Sequence, residues 1–186
     1  MHITRVFFVC LLFMWKLKGE VANTTTDTNF QYSVPQIHKY DVFVSFRGPE
    51  TRKGFLGHLL EAFSRKKIVF FADNKIKKGD EIAQSLFHAI ETSLISVVIF
   101  SENYTTSTWC LDELVKIVEC REKYGQILLP VFYQLDPAVV RYQNGTYADA
   151  FAEHERKYNS TVVQRWRSAL KKSADIAGFH SSSVCL

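Results

Sequence analysis

Between positions 107 and 114 the chain reads STWCLDEL, which sets Trp109 four residues ahead of Glu113 at the opening of an amphipathic run. Positions i and i+4 share one face of a helix, so this spacing puts an indole beside a carboxyl group. Apolar contact there would desolvate the acid and favour its neutral form. A second cluster with chemistry in it is FRGPETR, residues 46–52. Its two guanidinium groups, Arg47 and Arg52, are of the type that holds phosphate oxygens in pairs. Both clusters also have a plain structural reading. Arginines near a loop and a helix start are ordinary surface residues. Acids such as Asp112 and Glu113 are favoured in a helix's first turn, where the macrodipole is worth roughly 0.3–1 kcal/mol. On residue type alone the two readings of Glu113 stand level.

Positioning these residues requires a scaffold, and the hydrophobic pattern supplies one. YDVFVSF (40–46), IVFF (68–71), LISVVIFS (94–101) and QILLPVFY (126–133) are short, β-branched or aromatic runs closed by polar or turn residues, and they read as buried strands. Apolar residues at three- and four-residue steps predict helices over 51–66, 82–90, 109–124, 147–158 and 163–177, with GFHS after Gly178 as a short edge strand. Strand and helix alternate throughout. That order predicts an α/β fold, a parallel sheet with helices on both faces. In such open sheets the ligand crevice lies at the carboxyl ends of the strands, which singles out the loops 46–52, 73–79, 101–109 and 133–144.

Several familiar chemistries fail on those loops. The glycines after the first strand, Gly48, Gly54 and Gly57, do not form the dinucleotide fingerprint GxGxxG, and neither a phosphate-binding P-loop nor a GxSxG nucleophile elbow is present. The third strand ends in Ser101 where a phosphoacceptor aspartate would stand. With 23 Lys+Arg against 19 Asp+Glu, the net charge of +4 is too small to point to nucleic acid. Four cysteines without CxxC spacing signal neither zinc nor a disulfide framework, so reduced thiols are expected. Residues 1–22 contain the apolar run VFFVCLLFMW at 6–15, shorter than the roughly 20 residues of a spanning helix. This run is expected to give at most weak membrane association, as a signal-like or anchor-like segment. Residues 23–37 read as a linker and 38–186 as the folded domain. Sequons at Asn103 and Asn144 fall in crevice loops, where glycans would block access, so a cytoplasmic domain is expected in preference to a secreted one.

Taken together, YDVFVSFRGPETRKGFLGHL, DNKIKKGDEI, SENYTTSTWCLDEL and ILLPVFYQLDPAVVRYQNGTY resemble the plant type of Toll/interleukin-1 receptor domain, the TIR domain of plant disease-resistance proteins. The likeness runs from about residue 40 to residue 178. It implies a flavodoxin-like five-stranded parallel sheet and, for many plant members, cleavage of NAD or NADP at the nicotinamide–ribose bond after self-association. The dinucleotide is then a substrate, and no cofactor is implied. The resemblance assigns the catalytic carboxylate to Glu113. It assigns substrate contacts to Phe46, Arg47, Gly48, Ser107 and Trp109, with Arg52 on the next turn, and a gating role to the loop 73–81. Implied partners are further copies of the chain and other TIR proteins. Two features depart from the family. Gly57-His58 stands where many relatives carry Ser-His, and relatives continue past GFHSSS into another helix, so the expectation is a TIR-only chain with its last helix missing. Those departures favour the alternative of an adaptor or decoy that binds other TIR proteins and turns over nothing.

Overall fold

The computed structural model describes residues 38–48, 51–72 and 80–180, and of residues 52, 53 and 80–83 the backbone only. The chain divides into two compact units, 1–37 and 38–186. The hydrophobic segment 6–15, the linker 23–37, the loop 73–79 and the residues past 180 lie outside the described residues, as does the Arg52 side chain.

Five strands form one parallel sheet in the order β2-β1-β3-β4-β5. They are β1 (Tyr40–Ser45), β2 (Phe70–Ala72), β3 (Ser93–Phe100), β4 (Ile127–Phe132) and β5 (Phe179–His180). The chain goes from β1 outward to β2, then returns across β1 to start β3 on the other side, so the strand order reverses between β1 and β3. That is the switch point at which open α/β sheets bind ligands. β3 is buried along nearly its whole length, as its β-branched run predicts for a central strand covered on both faces.

Among the described residues, six α-helices connect and cover the strands: α1 (Gly57–Arg65), α2 (Asp80–Glu91), α3 (Thr108–Tyr124), α4 (Pro137–Tyr142), α5 (Thr146–Lys157) and α6 (Ser160–Ala174). Side chains alternate across a pleated strand. Phe43, Val98, Phe100, Leu128 and Phe132 therefore join one apolar cluster with Leu86 and Ile90 of α2, Leu111, Leu114 and Ile117 of α3, and Trp166 and Leu170 of α6. The intervening residues Val42, Val44, Val97, Ile99 and Val131 are also buried, as are Leu59, Ala62 and Phe63 of α1.

Several boundaries differ from the sequence reading. The first helix is not continuous from residue 51: a π-helical turn, Arg52–Leu56, precedes α1 and is broken at Gly54 (φ −103°, ψ −110°). The loop 133–144 contains α4, started by an Asp136 cap that accepts from the Ala138 amide at 2.8 Å, with Pro137 at the first turn. A 3-10 turn, Tyr104–Thr106, lies inside the loop 101–109. α6 begins and ends about one turn earlier than its apolar periodicity suggests, because Asn159 caps its amino end by accepting from the Thr161 amide.

Two details lock the ends of the sheet. At the amino end, buried Gln126 donates to the carbonyls of Ile90 (2.6 Å) and Ser93 (2.7 Å) and accepts from Ser96 Oγ (3.1 Å), tying α2, β3 and β4 together. At the edge, a Cβ on Gly178 would lie 2.6 Å from the Pro130 carbonyl oxygen. Only glycine lets β5 approach β4 there.

Candidate functional site

The chemistry-bearing residues converge where β1 and β3 end. β1 ends at Ser45, and the pleat that points Phe43 into the α3-side core points Ser45 the same way. After β3, the 3-10 turn carries Tyr104 back under α3, with its ring edge-on to Phe100 at 5.0 Å between centroids. Ser107 then caps α3, its Oγ accepting from the Cys110 amide at 3.3 Å. With Ser107 as cap and Thr108 as first residue, neither Asp112 nor Glu113 lies in the helix's first turn. The macrodipole reading of both acids is thereby overturned.

Each acid has its own partner instead. Asp112 faces outward and accepts from Trp166 Nε1 at 2.8 Å. Glu113 faces the sheet: it is 1 % exposed, and its Oε2 accepts from Ser45 Oγ at 2.6 Å. Ser45 Oγ also lies 2.9 Å from the Tyr104 hydroxyl, which is 3.1 Å from the Cys110 carbonyl oxygen. Ser45 and Tyr104 are fully buried. Burial first, and then electrostatic interaction with Cys110 and Glu113, push the Tyr104 phenol well above its ordinary range, so it is a protonated donor at neutral pH.

The sequence reading put Glu113 at the mouth of the crevice, beside the indole. The structure buries the carboxyl against the end of β1, whereas Trp109 is partly buried against the core. Phe46 is also buried, at 4 % exposed, and its carbonyl accepts from the Cys110 thiol at 3.6 Å. The aromatic face left partly open is therefore that of Trp109. Arg47 and Gly48 are half-buried. Gly48 has φ +91°, a conformation that favours glycine, and the Arg47 carbonyl accepts from buried Thr51 Oγ1 at 2.8 Å. That bond fixes the turn after β1 through backbone, leaving the guanidinium outside it.

Phe46, Ser107 and Glu113 are thus joined through Cys110 and Ser45, with Arg47 and Gly48 following Phe46 directly. Ser45 and Tyr104 were not singled out from sequence. The signal for Ser45 was available: a hydroxyl that directly follows the apolar run 42–44 at an inward position of the strand. For Tyr104 nothing local distinguishes the phenol from the other polar residues of SENYTTST. From further out, α5 steadies the same loop. Tyr147 donates to the Ser101 carbonyl at 3.0 Å, and His154 Nε2 lies 2.8 Å from the Thr105 carbonyl oxygen. Cys110 and Cys120 are buried thiols.

Residues 39–186 match the family described as TIR domain. Disease resistance protein RPV1 of Vitis rotundifolia is 47 % identical over 148 residues, which cover 80 % of this chain and 10 % of that protein. TMV resistance protein N of Nicotiana glutinosa is 50 % identical over 142 residues, covering 75 % of this chain and 12 % of that one. Among solved structures, the TIR domains of the activated Roq1 resistosome directly recognizing the pathogen effector XopQ share 49 % identity, with a TM-score of 0.72 over 78 % of this chain and 90 % of that one. The chain spans about a tenth of the length of the curated resistance proteins it matches.

Proposed function

The chain belongs to the TIR-domain family, and on that footing we propose that it is an NAD(P) glycohydrolase that cleaves the nicotinamide–ribose bond in plant immune and cell-death signalling. The observation that carries this reading is the buried carboxyl group of Glu113, held by Ser45 at the switch point of the sheet. Glycosidases in general use two carboxyl groups because the departing sugar oxygen has to be protonated. Nicotinamide departs from a cationic pyridinium and needs no proton. One carboxylate then suffices to stabilise the positive charge that develops on the ribose and to orient its hydroxyls.

The remaining residues fit supporting roles. Arg47, whose guanidinium makes no hydrogen bond among the described residues, would balance the pyrophosphate charge, a role proposed for Arg52 as well. Trp109 offers an aromatic face for a base, Gly48 permits close approach of backbone, and Ser107 fixes the start of the helix that carries the acid. Catalysis would require self-association. A carboxyl 1 % exposed has to be opened to substrate, and contact with a second copy is a source of that rearrangement. Self-association also agrees with the similar Roq1 TIR domains, which were solved within an activated resistosome. No helix among the described residues is long and apolar enough to cross a membrane. We assign the domain to the cytosolic side, since Asn103 and Asn144 are exposed near the same end of the sheet and would carry glycans in a secreted chain.

The depth of Glu113 is also the observation that favours a second reading, an adaptor that binds other TIR proteins without turnover. One experiment separates the two. The full chain at high concentration is incubated with NAD or NADP, and nicotinamide release is measured for wild type and Glu113→Ala. Release by wild type alone supports the glycohydrolase. Equal release by both removes Glu113 from the chemistry, and no release by either under crowding leaves the adaptor.

A further inference from the structure

The buried oxygens around Glu113 form a series with a definite proton count. Glu113 Oε2 lies 2.6 Å from Ser45 Oγ, Ser45 Oγ lies 2.9 Å from the Tyr104 hydroxyl, and that hydroxyl lies 3.1 Å from the Cys110 carbonyl oxygen. Ser45 and Tyr104 own one hydroxyl proton each, and the carbonyl owns none. With Glu113 ionised, two protons serve the series and point towards the acid: Tyr104 donates to Ser45, and Ser45 donates to the carboxylate. With Glu113 protonated, three protons fill all three contacts and point away: the carboxyl donates to Ser45, Ser45 to Tyr104, and Tyr104 to the Cys110 carbonyl. Rotation of two hydroxyl hydrogens and gain of one proton interconvert the two states, and every heavy atom keeps its place.

We infer that Ser45 and Tyr104 are positioning residues for Glu113, a two-hydroxyl relay whose direction reverses as the acid takes up or releases a proton. Its meaning for turnover rests on the reading of Glu113 as the reacting carboxylate, whereas the relay itself stands on the geometry alone. The relay answers a problem posed by burial: a polar atom shut away from water without a partner is costly. Here Oε2 is hydrogen-bonded in both protonation states. The carbonyl of Cys110 completes the arrangement. As a pure acceptor at the far end, it gives the Tyr104 proton a destination whenever Ser45 needs to donate rather than accept.

Among the described residues, titratable groups of three elements lie around the series. Tyr104 comes from the 3-10 turn and Cys110 from α3. Tyr147, from α5, also lies close enough to interact with Tyr104. Burial holds both phenols protonated at neutral pH, and the Cys110 thiol donates to the Phe46 carbonyl. On the β1 side the nearest cation along the chain is Arg47, two residues after Ser45. Among the groups of the series, the Glu113 carboxyl is the one whose ordinary range is acidic.

The direction of the effect follows from hydrogen-bond strength. A bond donated to a carboxylate is roughly twice as strong as one between neutral groups, so loss of the Ser45 hydroxyl harms the ionised state more than the protonated one. Removing the Tyr104 hydroxyl acts one bond further away and should act in the same sense, less strongly.

The test follows the Glu113 carboxyl directly. The full chain is prepared with 13C-labelled glutamate, and the Glu113 signal is identified by its loss in Glu113→Gln. Its titration is then recorded in wild type, Ser45→Ala and Tyr104→Phe, beside the pH profile of nicotinamide release. The expected result is a midpoint about one pH unit higher in Ser45→Ala and a smaller rise in Tyr104→Phe. The acidic limb of kcat should move by the same amounts, with KM unchanged. An unmoved or lowered midpoint in Ser45→Ala overturns the relay, and so does a larger shift in Tyr104→Phe than in Ser45→Ala. Should Ser45→Ala fail to fold, Tyr104→Phe decides alone, an unchanged midpoint sinking the idea. A shifted midpoint without nicotinamide release from any protein keeps the relay and removes the glycohydrolase. Release with an unmoved midpoint does the reverse.

Discussion

Trp166 Nε1 donates to Asp112 Oδ1 across 2.8 Å, fastening α6 to the helix that carries Glu113 at the next position. Partial burial pushes the Asp112 carboxyl above its ordinary range, against the pull of the Trp166 hydrogen bond and of the Arg165 charge, which lower it. An acid whose folded pKa exceeds its unfolded value binds more protons in the folded state. Its stabilising contribution is therefore complete below the unfolded value and is lost as pH rises through the folded one. In urea denaturation of the full chain, wild type should gain on Asp112→Asn as pH is lowered into the carboxylate range. A gap that instead widens in wild type's favour towards neutral pH contradicts this.

Ser107→Ala removes the cap of α3 while leaving the helix's buried face intact. Loss of a side-chain cap costs typically about 1 kcal/mol, and Ser107→Asn should recover most of it. Denaturant midpoints measured on the three proteins at constant slope check the expectation. Equal midpoints for Ser107→Ala and wild type would mean that the cap contributes nothing.

Gln126→Leu keeps the volume and deletes the amide. The Ile90 and Ser93 carbonyls lose the donor they share in the interior, so a loss of about 2 kcal/mol is expected. Because the change lies at the amino end of the sheet, far along β3 from Ser101, nicotinamide release per folded molecule should be unaltered. Denaturation and initial rates on the same preparation provide both readings.

Arg47→Ala should divide affinity from stability. The fold uses the backbone carbonyl of this residue, so the melting temperature should stay within a degree or so of wild type's, while loss of a phosphate-pairing guanidinium should raise KM for the dinucleotide by about tenfold. An unchanged KM would place the pyrophosphate elsewhere.

Much of this architecture was legible because its signals are periodic and local. The β-branched run at 94–101 announced a central strand, and β3 is buried along nearly all of it. The apolar repeat that begins at Leu111 announced α3, whose carboxyl-terminal bound agrees with the expected one. What escaped was set by partners distant in sequence. Glu113 and Ser45 stand 68 residues apart, and no window around either contains the other, so the burial of the acid could not be read. The 3-10 turn at 104–106 lacks an apolar repeat of its own. Its conformation is fixed by Tyr104 reaching beneath α3 and by His154 of α5 bonding the Thr105 carbonyl. Asp112 illustrates the same limit. Its acidity suited a helix start, but its partner is an indole on a helix that begins long after α3 has ended.

The placement of β1 between β2 and β3 has a consequence for biosynthesis. β1 emerges from the ribosome first and can zip to β2 early, yet its inner edge finds no mate until β3 has been made. Non-local pairings of this kind are slow steps in folding. A nascent chain halted before β3 would display that bare edge, together with the Ser45 hydroxyl at its tip, to any passing strand. Pausing of translation over that stretch is thus where chaperone capture should matter most for yield, and the carboxyl clasp cannot close until Glu113, on the helix after β3, has been made.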